Sequence, residues 1–333
     1  MYVCIVGSMK GLIVAGYGGH AGYAFALAHE LSKRGVELDI LVPRGYEYVA
    51  EKFRSMGSIV YMTLPRRPLE PIYKGLHRWI VASAESLKLL KSKYDFVFAS
   101  GSNFSILPFL ATKVARGVKA YTLEAVDRVY TRSKAVSAMY RLGATVFLHW
   151  EEQLKLYPKG LHVGPIYEPA VYEPRDGGYV LVTTGTLGAR EVFDALVQLD
   201  LERAVVQTGD VAVEPYARKK PNWVFFNYVE DLYKWIAGAS VVVTHPGLTA
   251  ATARLAYGKP LVLVYTRRHS KLFTKEEVKT LAEKLRAVYL EEVTPDKLAA
   301  AIEEAKHLEK PNYEHGASRA AALILKDTQS RPQ

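Results

Sequence analysis

Three short stretches hold residue types that could do chemistry. Gly16-Tyr17-Gly18-Gly19-His20 breaks an apolar run, Gly11 to Ala15, and opens a second run that keeps helical period to Arg34. It therefore reads as strand, loop and helix. Such a loop turns backbone N–H groups and the positive end of a helix toward an anion. The His20 imidazole at its tip exchanges protons near neutral pH, the property a general base needs. The bland alternative is a histidine that caps the helix or bonds a backbone carbonyl. Thr183-Thr184-Gly185-Thr186-Leu187-Gly188-Ala189-Arg190 closes one strand and opens a helix. Its small and hydroxyl residues let a backbone approach a phosphate and donate to it. Residues 241–264 read as a strand, the turn Thr244-His245-Pro246-Gly247-Leu248-Thr249, a small-residue helix and another strand after Gly258-Lys259-Pro260. A helix start made of Gly, Thr and Ala leaves room for a diphosphate, with Thr249 expected to cap it; an ordinary tight turn is the alternative.

Gly16, Gly18 and Ala21 also come near the G-x-G-x-x-G/A fingerprint of dinucleotide sites, which further wants an acid at the tip of the second strand. Here that strand ends in Val42-Pro43-Arg44, and Asp39 falls inside it. Arg44 would suit an NADP phosphate, so the reading stays open, but a loop that only holds a cofactor has no need of His20.

Alternating elements must position these loops. Strands are expected near 11–16, 36–42, 58–63, 95–99, 118–123 and 144–148, then near 179–184, 203–207, 223–226, 240–244 and 260–264, with helical runs between them. That alternation implies α/β domains with doubly wound parallel sheets. Residues 162–179 hold three prolines and three glycines without periodicity and read as a linker. The expected division is a Rossmann-like domain over 1–163, a linker over 164–178 and a second α/β domain over 179–310. A C-terminal helix and tail over 311–333 would return to the first domain. Two such domains would put the carboxyl ends of both sheets around one cleft.

A length of 333 residues is ample for two domains of about 150 each. One cysteine, Cys4, gives no disulfide framework and suits a reducing cytoplasm. No apolar run reaches the roughly 18 residues of a membrane span. The opening MYVCIVGS is too short for a signal peptide, and the folded part is expected from Met9-Lys10. No cluster has metal-ligand spacing, so no metal is expected, and outside the dinucleotide-like match nothing calls for another cofactor. The net charge of +10 is uneven: residues 1–168 carry 22 Lys and Arg against 13 Asp and Glu, and residues 169–333 carry 22 against 21. A basic half attracts phosphate, whether of nucleic acid, lipid headgroups or a diphosphate substrate, unless the charge serves solubility alone. Within it, segment 64–93 interleaves Arg66, Arg67, Lys74, Arg78, Lys88, Lys91 and Lys93 with Leu69, Ile72, Tyr73, Leu76, Trp79, Ile80, Leu87 and Leu90. Either this run lies in the headgroups of an anionic membrane, or its apolar residues pack on the sheet and its lysines are simply solvated.

The 241–264 block resembles the donor-binding half of glycosyltransferase family 28, whose pattern is strand, S/C-[HR]-[AS]-G, helix, G-[KL]-P and strand. The run Thr184 to Arg190 is similar to the first loop of that half. The front half resembles the membrane-recruiting partner of the two-part GlcNAc transferase that makes chitobiosyl-diphosphodolichol. It does so through the G-x-G-G-H loop, Ser100-Gly101-Ser102-Asn103, the run Tyr121 to Arg128, and Trp150 followed by Val163-Gly164-Pro165. The chain looks like the two parts fused over residues 9 to about 310. The resemblance implies a GT-B fold of two Rossmann-like domains facing a cleft. It implies an inverting, metal-independent transfer of GlcNAc from UDP-GlcNAc to a polyprenyl (dolichyl) diphosphate-linked sugar at the cytoplasmic membrane face, with no nucleic-acid partner. His20 or Glu124 would be the base, and Gly18, Gly19, Ser102, Asn103 and Arg128 would bind the acceptor. Gly185, Thr186, His245, Pro246, Gly247, Thr249 and Ala250 would bind the donor. For Glu124 and Arg128 the alternative is a structural ion pair.

Two positions depart from the family. Ala253, with Thr252 beside it, stands where the family has a glutamate for the ribose hydroxyls. The H-Q pair that contacts the sugar is missing: Arg267-Arg268-His269-Ser270 lies too early, and Glu276-Glu277 sits near the aligned place. The donor sugar is therefore open. Two other readings stand beside the transferase, a UDP-GlcNAc 2-epimerase-like enzyme of the same shape and a non-catalytic membrane-recruiting scaffold.

Overall fold

The computed structural model describes residues 9–66, 70, 72–267, 270 and 273–329. Cys4, Arg67, Leu69, Arg268 and His269 lie outside them. The chain divides into two compact units. Val126–Val129 and Tyr167–Tyr313 make up one, and the other described residues, 314–329 among them, make up the other.

The first unit holds a parallel sheet of β1 (Lys10–Val14), β2 (Glu37–Pro43), β3 (Ser58–Met62), β4 (Phe96–Ala99), β5 (Lys119–Leu123), β6 (Thr145–Leu148) and β7 (Leu161–His162), ordered β3-β2-β1-β4-β5-β6-β7. The second holds β8 (Val180–Thr183), β9 (Ala204–Gln207), β10 (Val224–Phe226), β11 (Val241–Thr244), β12 (Leu261–Val264) and β13 (Val288–Leu290), ordered β10-β9-β8-β11-β12-β13 and also parallel. Eleven of these strands are those read from the sequence. The two additions, β7 and β13, span two and three residues, too few for a period to show. The central strands VLVT, VVVT and LVLV are buried along their whole length, as expected where helices cover both faces of a parallel sheet.

Each sheet order reverses once, between β1 and β4 and between β8 and β11. Val14 pairs with Ala99 and Thr183 with Thr244, so the reversing strands end level and the loops that follow them start side by side. Doubly wound sheets open a crevice for ligands at that point.

The segment read as a linker is divided between the units. Gly164 to Ile166 belong to the first unit, whereas the chain from Tyr167 onward is bonded to the second: Glu168 N donates to Thr252 Oγ1 at 3.2 Å, Arg175 N to Ala237 O at 2.8 Å and Gly177 N to Gly238 O at 2.8 Å. The C-terminal helix Gly316–Gln329 buries Ala317, Ala320, Ala321 and Ile324 within the first unit. Gly316 is required there, because a Cβ on it would stand 2.3 Å from Gly164 O.

Candidate functional site

In the first unit the Gly16–His20 loop and the Ser100–Asn103 loop lock together above β1 and β4. Gly16, Gly18 and Gly101 adopt φ of 70°, 57° and 94°, a region that side chains avoid. A Cβ on Gly16 would also come 3.1 Å from Ser102 Oγ. The Ser100 hydroxyl donates to Ala15 O at 2.8 Å, tying one loop to the other. His20, half-buried in the first turn of helix Gly19–Ser32, lies 2.6 Å through Nδ1 from Ser100 O. A carbonyl only accepts, so Nδ1 carries the proton and the lone pair of the neutral ring sits on Nε2. The bland alternative for His20, a bond to a backbone carbonyl, is thus realised, and it sets the tautomer a base requires. Gly18 and Gly19 are exposed at the rim, Asn103 is half-buried and Ser102 buried; among the described residues the Ser102 hydroxyl meets no partner.

Glu124, fully buried, plays a different part. One carboxylate oxygen accepts from Ala125 N at 2.9 Å, and the other accepts from Ser133 N at 2.9 Å and the Tyr157 hydroxyl at 2.5 Å. Burial, with the carboxylate beside it, pushes the Tyr157 phenol up, so it stays a donor. The carboxylate therefore holds the chain from 124 to 133 in place. Arg128 belongs to the short stretch Val126–Val129 that groups with the second unit. Asp39, which the dinucleotide reading would want at a strand tip, is buried inside β2, where Lys10 lies 3.2 Å away and the Tyr94 hydroxyl donates to it at 2.8 Å.

In the second unit the loops after β8 and β11 meet through His245 and Gly185. A Cβ on Gly185, at φ 72°, would lie 2.7 Å from the imidazole Cε1. Thr183 donates to Gln207 Oε1 at 2.9 Å. The buried hydroxyls of Thr184 and Thr244 meet no partner among the described residues. Thr186 is exposed, and Gly185, His245, Gly247 and Thr249 are half-buried. One expectation needs correction: Gly247, at φ 142°, is the N-cap of helix Leu248–Ala251, and Thr249 stands inside the first turn without capping it. Pro246 and Ala250 are buried.

The family-departing positions also have structural explanations. Ala253 is fully buried in a π-helical turn, Thr252–Ala256, and Thr252 is occupied by Glu168 N. Glu277 is the third residue of a capping box: it accepts from Thr274 N at 3.1 Å while its own N–H donates to Thr274 Oγ1 at 3.1 Å. That role explains a buried glutamate near the missing H-Q pair without any sugar contact. Arg254, which sequence reasoning missed, is 1% exposed and donates to the carbonyls of Lys259, Leu285, Arg286, Leu308 and Glu309 at 2.8–3.0 Å. It ties several helix ends and loops of the second unit together. The available signal was one arginine in an otherwise small and apolar helix.

Helix Leu76–Lys88 buries Ala82 and Ser86 and exposes Leu76, Ile80, Val81 and Leu87. Leu76, Ile80 and Leu87 share one face by helical period, so the apolar stripe points away from the sheet, and Lys74, Lys88, Lys91 and Lys93 beside it are exposed. Among the described residues no helix is long and apolar enough to cross a membrane.

Residues 179–329 match the glycosyltransferase family 28 C-terminal domain. No curated protein matches the chain by sequence. MurG of Acinetobacter baumannii superposes with a TM-score of 0.61 at 16% identity, over 96% of this chain and 99% of that one. UGT89C1 of Arabidopsis thaliana, complexed with UDP, gives 0.65 at 13% identity over 97% and 100%. A putative UDP-N-acetylglucosamine 2-epimerase from Listeria monocytogenes gives 0.69 at 13% identity over 98% and 99%. At these identities the structures establish a shared fold, two parallel-sheet α/β domains of the GT-B type, and the family 28 match supports a glycosyltransferase.

Proposed function

We propose, from the match of residues 179–329 to the glycosyltransferase family 28 C-terminal domain and a tautomer-fixed histidine in the first unit, that this chain moves GlcNAc from UDP-GlcNAc to a sugar on a polyprenyl diphosphate. The observation that carries this reading is the 2.6 Å contact of His20 Nδ1 with Ser100 O. With its lone pair on Nε2, His20 takes the proton of an acceptor hydroxyl. The acceptor oxygen attacks the anomeric carbon, the bond from that carbon to the β-phosphate oxygen breaks, and UDP leaves. One displacement inverts the anomeric centre. Backbone N–H groups of the Gly185–Gly188 loop and the Gly247–Thr249 turn take up the charge growing on the diphosphate. Gly18, Gly19, Ser102 and Asn103 border the acceptor, Arg128 is offered to the acceptor's own diphosphate, and Glu124 positions the segment that leads to it. The reading includes a peripheral position on the cytoplasmic face of an anionic membrane, supported by the outward apolar stripe of helix Leu76–Lys88 and its lysines.

Incubation with UDP-GlcNAc and a GlcNAc-bearing polyprenyl diphosphate is expected to give UDP and a lipid-linked disaccharide. Release of free N-acetylmannosamine without lipid product would replace this reading with an epimerase. Donor binding without turnover would replace it with the scaffold.

A further inference from the structure

Three tyrosines beside the His20 loop are not used by the mechanism above. Tyr17 stands between Gly16 and Gly18, both at positive φ, and with Tyr46 packs along the edge of the first unit's core. Its ring stacks on Tyr46 at 5.2 Å and 28°, and Tyr46 in turn lies 5.9 Å from Tyr48, which is 51% exposed. Tyr46 and Tyr48 follow β2, the neighbour of β1, so the three rings border the carboxyl edge of the sheet next to His20. Tyr17 and His20 are three residues apart, which keeps their Cα atoms within about 11 Å of each other. One ligand can touch both.

We infer that the acceptor's sugar lies on this tyrosine cluster, its C–H face against Tyr48 and its rim beside the Tyr17 hydroxyl, an inference that rests on the transferase reading above. A pyranose presents one face of C–H groups and a rim of hydroxyls. Tyr17 and Tyr46 stack on each other and Tyr48 tilts 47° from Tyr46, so the exposed Tyr48 ring is left for that face, and phenol hydroxyls suit the rim. An isoprenoid stem would have no use for those hydroxyls, and the outward apolar stripe of helix Leu76–Lys88 offers it a separate surface. Burial, with Tyr46 beside it, pushes the Tyr17 phenol up to about 12, so at neutral pH it remains a hydrogen-bond donor.

The test is calorimetric binding, without donor, of a short-chain polyprenyl diphosphate carrying GlcNAc and of the same lipid diphosphate without sugar. In the full chain, Tyr48→Ala should weaken the sugar-bearing lipid about fivefold and Tyr17→Ala about tenfold. Tyr17→Phe, which keeps the ring and loses the hydroxyl, should weaken it about threefold, and the sugarless lipid should move by less than about twofold. An unchanged thermal unfolding transition in each variant reports an intact first unit, and unchanged UDP affinity an intact second one. Unchanged affinity for the sugar-bearing lipid would overturn the inference. So would equal losses for both lipids, which would give the tyrosines to the lipid diphosphate, and so would no binding by the unaltered chain. The transferase reading fails separately, if no lipid-linked product forms while this binding pattern holds.

Discussion

The two units solve the same geometric problem with different side chains. Each reverses its strand order once, each ends the reversing strands level, and each follows the strand across the reversal with a helix that loosens into a π-turn, Leu110–Val114 in one and Thr252–Ala256 in the other. In the first unit the paired loops carry an imidazole hydrogen-bonded to a carbonyl, with three tyrosines nearby. In the second they carry glycines, threonines and a histidine fitted under Gly185. A shared scaffold fixes where a ligand sits, and the loop side chains decide what happens to it. By this comparison, substitutions in the first unit should act on turnover and acceptor, and those in the second on donor affinity.

The largest effect is expected at His20. His20→Ala should lower kcat by roughly 10²- to 10⁴-fold with little change in UDP affinity, the usual weight of a general base. Steady-state kinetics read both quantities, and a variant with normal turnover removes His20 from the mechanism. The counterpart in the second unit is Gly247→Ala. At φ 142° and ψ −167° this position sits where any residue but glycine costs about 1–3 kcal/mol. A Cβ there meets its nearest atom only at 3.9 Å, so the unit should still fold while the turn shifts. UDP affinity is expected to fall about 10- to 100-fold. Unchanged affinity by titration calorimetry would place the donor elsewhere.

Much of this division is visible in the sequence, because buried parallel strands read as unbroken apolar runs and glycine marks the turns between strand and helix. What stayed hidden depends on partners distant in sequence. Glu124 reads as a candidate base until Ser133 N and the Tyr157 hydroxyl are seen to occupy it. Ala253 reads as a lost ribose contact, and the structure adds that the side chain at that position faces the core. The five carbonyls around Arg254 come from segments up to 55 residues away, and no local pattern announces them. The direction of the Leu76–Lys88 stripe was equally undecidable, since an amphipathic period does not say which face meets the sheet.

Acid should separate the units next. His149 lies fully buried in the first unit, accepts from Ile166 N at 3.0 Å, and burial lowers its pKa to about 3. In the unfolded chain the imidazole titrates near 6.5. The folded value is the lower one, so the unfolded state binds the extra proton as pH falls. This contribution to stability is complete above about pH 6.5 and is lost on the way down toward pH 3, with about 2 kcal/mol gone by pH 5. Hydrogen exchange followed from pH 7 to pH 5 should show the first unit losing protection before the second. The opposite order would contradict the assignment.

The smallest expected effect tests whether charge sets the units apart as well. Residues 1–168 have a surplus of nine basic side chains and residues 169–333 a surplus of one. Lys88 and Lys219 are both exposed, but Lys88 closes the helix whose apolar stripe faces outward, whereas Lys219 follows the short helix Glu214–Ala217 of the second unit. A basic residue at an anionic membrane surface is worth about 1 kcal/mol, or about fivefold in partitioning; replacing it by an acid removes at least that much. Sedimentation with phosphatidylserine-containing vesicles should therefore show Lys88→Glu binding about fivefold more weakly than the unaltered chain, while Lys219→Glu binds as before. The difference should shrink as salt is raised, because screening shortens the reach of both charges. Equal behaviour of the two variants at low salt would mean that the basic surplus serves solubility, and the outward stripe of Leu76, Ile80 and Leu87 would then need an occupant other than lipid.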